Sequence, residues 1–391
     1  MKKTIALILA LVMVFALVAC ASSGTTTTSA PAAASASASA PAASAASSSA
    51  AASGSAAASA SASASSSAAI VKTDEISSDE EAAALGIPAA VVLQDTDALK
   101  GKKIGCSICY KGDEWCAALA TALEALGKYY GAEIVAQDGD LNDETQTKQI
   151  ENMIADNVDI MMIDPITPDG SGEALMKAVD KNIPIIIYDG YWADGEKNAL
   201  TTVTWDQKAT GTLIGEYFVK YVKEHNDGKC RVEELTNAVS THCQERFVGL
   251  HEVIDAANAD GCDIKVLNKY DSQGNRETAY NAISAIVEPY DYIISDVDNG
   301  AQGAVAALQA AGNTTVKVFC MGAYGAEPFG LLHNNDVNYQ ACLNVDAWVL
   351  AQFIFDGAIA HFENKDVPTL TNIDLFVVDS TNVDKFWSFK D

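Results

Sequence analysis

Cys106 and Cys109 form a C-x-x-C spacing, the arrangement of a redox pair or of half a zinc site. They lie in the apolar run Ile104-Gly105-Cys106-Ser107-Ile108-Cys109, which reads as a strand, and positions three apart on a strand point to opposite faces. The two sulfurs therefore cannot converge on one electrophile or one metal. Asp138-x-Asp140-x-Asn142 has the opening of a calcium loop, but Asp143 stands where that loop needs Gly and Gln149 where it needs Glu. These residues are expected to begin and cap a helix instead. His225, His242, His251, His333 and His361 are scattered, with no H-x-x-x-H or H-E-x-x-H pair, and no phosphate-cradling or nucleophile-elbow pattern is present. Nothing here nominates an active site, and nothing calls for a metal or a cofactor. The loops after the apolar runs carry something else, namely isolated carboxylates and amides beside indole rings.

The elements that must position those loops alternate strand and helix. Ser78-Asp79-Glu80-Glu81, followed by Gly86 and Pro88, predicts one short capped helix. Strand-like runs over 103–109, 134–136, 160–163 and 183–188 are separated by helical periodicity over 114–130, 144–155 and 172–181. A second series follows Val203-Thr204, with helices over 207–224, 245–258, 276–286 and 301–311 and strands over 232–236, 264–267, 292–295 and 316–320. Continuous apolar strands between amphipathic helices imply parallel sheets covered on both faces. Ligands of such α/β folds sit at the carboxyl ends of the strands.

Met1-Lys2-Lys3 followed by the uncharged apolar run Ile5 to Val18 predicts a signal peptide over 1–19, too short to span a bilayer. Its end, Leu17-Val18-Ala19-Cys20, resembles the bacterial lipobox, which implies acylation of Cys20 and a membrane anchor. Residues 4–71 carry no charge, and from Ala21 onward they are mostly Ala and Ser. That composition cannot bury a core, so 20–71 is expected to be a tether whose span for about 50 residues is on the order of 40 Å. The remainder suits two lobes. With 25 basic against 52 acidic residues and a net charge of −27, nucleic acid is excluded as a partner. Nine cysteines in an exported chain would ordinarily suggest disulfides, but Cys106, Cys109, Cys230, Cys320 and Cys342 sit in or beside strand-like runs and read as reduced core thiols. Cys109 with Cys116 is the first pair to check for a bridge.

The segments "KKIGCSICYKGDEW", "VDIMMIDPITPDG", "NIPIIIYDG", "QERFVGL" and "GAVAALQAAG", in this order, resemble the type I periplasmic sugar-binding proteins of ABC importers, the ribose and galactose receptor group. The resemblance covers about 102–378. It implies an α/β fold of two doubly wound parallel-sheet lobes joined by a three-segment hinge. Lobe 1 would be 102–204 plus 345–373 and lobe 2 would be 205–344 plus 374–391, with 72–101 as an N-terminal extension. The crossovers would lie near Thr204 to Asp206, Asn344 to Asp346 and Ile373 to Leu375.

Carried over by position, the resemblance places Asp113 and Trp115 after the first strand as a polar contact and an aromatic platform, with Cys116 replacing a second aromatic. Asp189 would accept hydrogen bonds from ring hydroxyls. Gly190 replaces an arginine, and Tyr191 and Trp192 offer aromatic surface in the same loop. Arg246 would donate from the other lobe, Asp298 stands beside the replaced asparagine position Val297, Gly322 replaces a binding aspartate, Gly274 an aromatic, and Asn344 keeps an amide. Asp206 would be a hinge or cleft carboxylate. The implied function is capture of a small neutral sugar or polyol by hinge closure and delivery to an ABC permease, by a receptor expected to be monomeric and without enzymatic activity. Delivery to a membrane kinase or chemoreceptor, and a nucleoside-like ligand, remain open beside it.

Overall fold

The computed structural model describes residues 80–112 and 114–386. The proposed signal peptide, Cys20, the tether and Asp113 fall outside them.

The chain opens with α1 (Glu80–Ala84) and an extended stretch before β1 (Lys103–Ile108), α2 (Glu114–Tyr129), β2 (Glu133–Asp138), α3 (Asp143–Ala155) and β3 (Ile160–Ile163). Next come α4 (Gly172–Asp180), β4 (Ile185–Tyr188), α5 (Gly195–Asn198) and β5 (Thr201–Thr204). The second series is α6 (Gln207–Asn226), β6 (Lys229–Thr236), α7 (Thr241–Ala259), β7 (Asp263–Asp271), α8 (Arg276–Ser284), β8 (Tyr292–Ser295), α9 (Asp298–Ala310), β9 (Lys317–Ala323), α10 (Ala326–His333) and β10 (Tyr339–Asn344). It closes with α11 (Ala347–Phe362), β11 (Leu370–Asn372) and β12 (Val377–Asp379).

The strands form two six-stranded sheets of the same order, β2-β1-β3-β4-β5-β11 and β7-β6-β8-β9-β10-β12. All pairings are parallel except that of β12 with β10. The inner strands β3, β4 and β8 are fully buried, as strands covered on both faces must be. The edge strand β7 is exposed along most of its length. Its polar residues Asn268 and Lys269 are why it extends past the 264–267 read from apolar pattern. The aspartates of the calcium-like run serve local structure. Asp138 accepts from the amides of Lys111 and Asp140, and Asn142 caps α3 through Thr145 N at 2.8 Å.

The chain crosses between the sheets three times, between β5 and α6, between β10 and α11, and between β11 and β12. The lobes repeat each other in detail. Asp164, after β3, accepts from Cys109 N at 3.1 Å, and its counterpart Asp296, after β8, accepts from Asn237 N at 2.5 Å. In lobe 2, α6 and α7 cross with their backbones in contact. A Cβ on Gly211 would lie 1.7 Å from Arg246 O, and one on Gly249 would lie 1.9 Å from Lys208 O.

Residues 80–101 lie as a strap across lobe 1. Ala82, Ile87, Val91 and Leu99 are buried in the same core as Tyr130 and Phe355, whose rings stack at 5.8 Å. Polar groups on one side of α11 hold the strap. Val92 N donates to Gln352 Oε1 at 2.8 Å, the Gln94 side-chain amide donates to Asp356, and Thr96 Oγ1 donates to Glu363 Oε1 at 2.7 Å.

Candidate ligand-binding cleft

The carboxyl ends of both sheets meet at Val345, on the second crossover. From lobe 1, Trp115 Nε1 donates to Val345 O at 2.7 Å. From lobe 2, Val345 N donates to Ala323 O at 3.2 Å, and a Cβ on Gly322 would sit 3.4 Å from Val345 Cγ1. The loops after β1, β3, β4, β8, β9 and β10 follow the carboxyl ends of these strands, where α/β sheets place their ligands.

In lobe 1, Asp164 is 2 % exposed. Burial, and then the neighbouring charge of Asp189, push its carboxyl up to about 8. Asp189 ends β4 in the left-handed region, φ 51°, a conformation that aspartate tolerates better than most residues. Its backbone is fixed on both sides, since its N–H donates to Val203 O at 3.0 Å and Thr204 Oγ1 donates to its carbonyl at 3.0 Å. Gly190 follows because nothing larger fits: a Cβ there would lie 2.7 Å from Pro165 O and 2.8 Å from Asp164 Oδ1.

Trp115 is half-buried in the first turn of α2, and its ring lies 5.8 Å from that of Trp205 at an interplanar angle of 58°. Its indole N–H is already committed to Val345, so what it can offer a ligand is ring surface. Tyr191 is 54 % exposed. Trp192 requires a correction. It is 2 % exposed and packs among Ile150, Met153, Ile163 and Leu175, so it is core and presents no stacking face.

In lobe 2, Arg246 is 8 % exposed. Its Nε donates to Gln207 Oε1 at 2.7 Å and its Nη1 to Asp296 O at 2.8 Å. Gly322, where the resemblance expects an aspartate, leaves room for this guanidinium, because a Cβ there would stand 3.0 Å from Nη1. Asp298 starts α9, half-buried, and accepts from Asn299 N at 2.8 Å. Asn344 ends β10, half-buried, with Oδ1 lacking a hydrogen-bond partner. Asp206 is exposed and caps α6 through Ala209 N at 2.8 Å. With Asn372 and Asp374 it lines a cavity of about 510 Å³ along the first and third crossovers, so it belongs to the hinge.

Three residues not singled out from sequence enter this site. Asp164 stands before Pro165 and carries no motif of its own. Trp205 and Gln207 sit on the first crossover, buried, and their Nε1 and Nε2 have no hydrogen-bond partner. The second crossover carries Asp346, which caps α11 through Trp348 N at 2.9 Å and is raised to about 6 by burial. The eight described cysteines are free thiols, and the Cys109 thiol is hydrogen-bonded to that of Cys116.

Residues 104–366 match the family described as periplasmic binding protein domain. The galactofuranose-binding protein YtfQ of Escherichia coli K12 is 26 % identical over 222 residues, covering 55 % of this chain and 68 % of that protein. A putative rhizopine-binding protein of Rhizobium meliloti is 28 % identical over 240 residues, covering 59 % and 74 %. Among solved structures, a solute-binding protein of Bacillus halodurans with bound myo-inositol shares the fold with a TM-score of 0.66 at 20 % identity, covering 74 % of this chain and 98 % of its own. An arabinose-transporter component of Shewanella sp. ANA-3 does so with a TM-score of 0.65 at 22 % identity, covering 72 % and 93 %. Two lobes of matching strand order, three crossovers and polar strand ends converging on the second crossover are thus the work of one shared ancestry: the chain belongs to the periplasmic binding protein domain family, in its type I form.

Proposed function

We propose that this chain is an extracytoplasmic solute receptor that captures a small polyhydroxy ligand between its lobes and presents it to an ABC permease, held at the membrane by a lipid on Cys20. The observation that carries the reading is that Trp115 of lobe 1 and Ala323 of lobe 2 meet at Val345, next to Asn344 with its unpartnered Oδ1, while the Asp189 backbone is tied to Thr204, whose neighbour Trp205 packs against the Trp115 ring. Such a set suits hydroxyls and the C–H side of a ring. The relative named for galactofuranose and the neighbour holding myo-inositol support the ligand class. Closure is driven only by the ligand's extra affinity for the closed form.

The test is a thermal-shift screen of the full chain against pentoses, hexoses, polyols and nucleosides, since a ligand that binds only the folded state raises its Tm. Asp189→Ala and Trp115→Ala are expected to abolish the shift while the far-UV circular dichroism is kept. Trp115→Phe, which loses the bond to Val345 and part of the ring surface but keeps an aromatic face, is expected to retain a reduced shift. Product formation without saturable binding would show an enzyme and sink the proposal. A sensory reading has one supporting observation, because the fructose-binding periplasmic domain of a hybrid two-component system shares the fold with a TM-score of 0.63. Loss of ligand uptake when the receptor gene is deleted, with uptake restored by complementation, separates import from sensing.

A further inference from the structure

Cys109 stands one residue past the end of β1, and Cys116 lies in the first turn of α2. Their thiols are hydrogen-bonded to each other, and both side chains pack in the same core. Cys109 is held from its backbone, its N–H donating to Asp164 Oδ2 at 3.1 Å and its carbonyl accepting from Leu141 N at 3.0 Å. Cys116 is held by its helix, and Trp115 beside it donates to Val345 O at 2.7 Å. Two sulfurs in contact, each on an anchored backbone, need only close on each other to form an S–S bond of about 2.05 Å.

Two other pairings are closed to this chemistry. Cys106, the partner of Cys109 in the C-x-x-C spacing, is fully buried with its Sγ 3.7 Å from the Tyr188 hydroxyl. Cys320 and Cys342 are register partners on β9 and β10, but the Cys320 thiol donates to Gly322 O at 3.3 Å, the Cys342 thiol is hydrogen-bonded to Tyr339, and both are sealed inside the sheet. Cys109 differs in being half-buried, so a small reagent reaches the pair from its side. The hydrogen bond to Cys116, burial and the Asp164 charge all push the Cys109 thiol well above its usual range, which keeps the pair reduced and slow to react at rest. The first turn of α2 acts in the opposite sense on Cys116, since a helix amino terminus favours a thiolate.

We propose that Cys109 and Cys116 are a thiol–disulfide exchange site, a reduced pair that a low-molecular-weight disulfide oxidises to a bridge fastening the end of β1 to the first turn of α2. One protein thiolate attacks a sulfur of the small disulfide, breaking its S–S bond and releasing the first small thiolate. The second protein thiolate then attacks the protein sulfur of this mixed disulfide and releases the other. The two protein thiols lose two electrons and two protons, the small disulfide gains the electrons, and each leaving thiolate takes up one proton. The bridge ties Trp115, the residue through which lobe 1 holds Val345, more firmly to the first strand. The inference goes beyond the receptor reading and does not depend on it.

Treatment of the folded full chain with glutathione disulfide, alkylation of the remaining thiols and tryptic peptide mapping test this. Lys111 lies between the two cysteines, so a bridge leaves the tryptic peptides 104–111 and 112–128 joined and two hydrogens lighter than their sum. That joined pair is expected as the main linked product, reversed by dithiothreitol, and the oxidised chain should melt roughly 3–6 °C above the reduced one. Cys106→Ala should keep the joined peptides, which assigns the link to Cys109. Cys109→Ser and Cys116→Ser should each abolish both the joined peptides and the rise in Tm, while melting like the parent when reduced. Absence of the joined peptides from the folded chain, with Cys109 and Cys116 both recovered alkylated, overturns the proposal. So does the same mixture of cysteine pairs in folded chain and in chain unfolded in urea, and so does a bridged chain that melts below its reduced form, since the native fold then resists the bond.

Discussion

Asp164 keeps its proton well above the pH at which an ordinary carboxylate ionises, and the folded protein registers this as a dependence on pH. Its folded value, about 8, lies above the ordinary carboxylate range, so the proton is bound more tightly in the native state than in the unfolded one. The stability this contributes is complete below about pH 4 and is lost as pH rises toward 8. Asp164→Asn is therefore expected to match the parent Tm near pH 4 and exceed it by roughly 2–4 °C above pH 8, a shift of order 1 kcal/mol. A scan of Tm against pH checks it, and a constant offset at all pH values would contradict it. Asp346, raised to about 6, adds a smaller loss of the same sign over a lower range. Asp189 and Arg246 were reached from the sequence only through the resemblance, since neither a strand end nor a helix turn by itself marks a ligand contact. Trp192 was misread because, in an irregular loop, no periodicity tells which of two adjacent aromatics, Tyr191 or Trp192, turns inward. Gln207 gave no signal at all, since its role depends on Arg246, a residue distant in sequence.

The contact between α6 and α7 is set by two glycines, one on each helix, facing the other's backbone. Neither position has a flexible side chain opposite it that could give way. Gly211→Ala and Gly249→Ala are each expected to cost about 1–3 kcal/mol by separating the helices. Because Gly211 lies against the carbonyl of Arg246, the first should also weaken ligand binding, while denaturant unfolding reads the stability term. An unchanged midpoint for both variants would mean the helices part freely. At this scale the alternation of strand and helix was readable through β9, apart from the four-residue α5, because inner strands buried on both faces are continuous apolar runs. The short strands β11 and β12 were not, since three residues are too few to carry a pattern and owe their form to the neighbouring strand.

For the whole molecule, two lobes were legible from length, but the crossovers between them only through resemblance, as nothing in periodicity says that residues after 345 return to the first sheet. The proposed anchor has a direct check: Cys20→Ala is expected to move the protein from the membrane fraction to the soluble fraction without altering its ligand affinity. Retention in the membrane would refute lipidation at that residue. The strap over 80–101 bears on what any attachment ahead of it does. It is fastened to α11 and α2 of lobe 1, with none of its described hydrogen bonds reaching lobe 2. A pull on the chain before residue 80 enters lobe 1 along this strap as a shearing load and passes through none of the three crossovers. It can drag or turn the molecule, but it does no work along the coordinate that opens and shuts the cleft, so mechanical tension leaves the ligand equilibrium where it was.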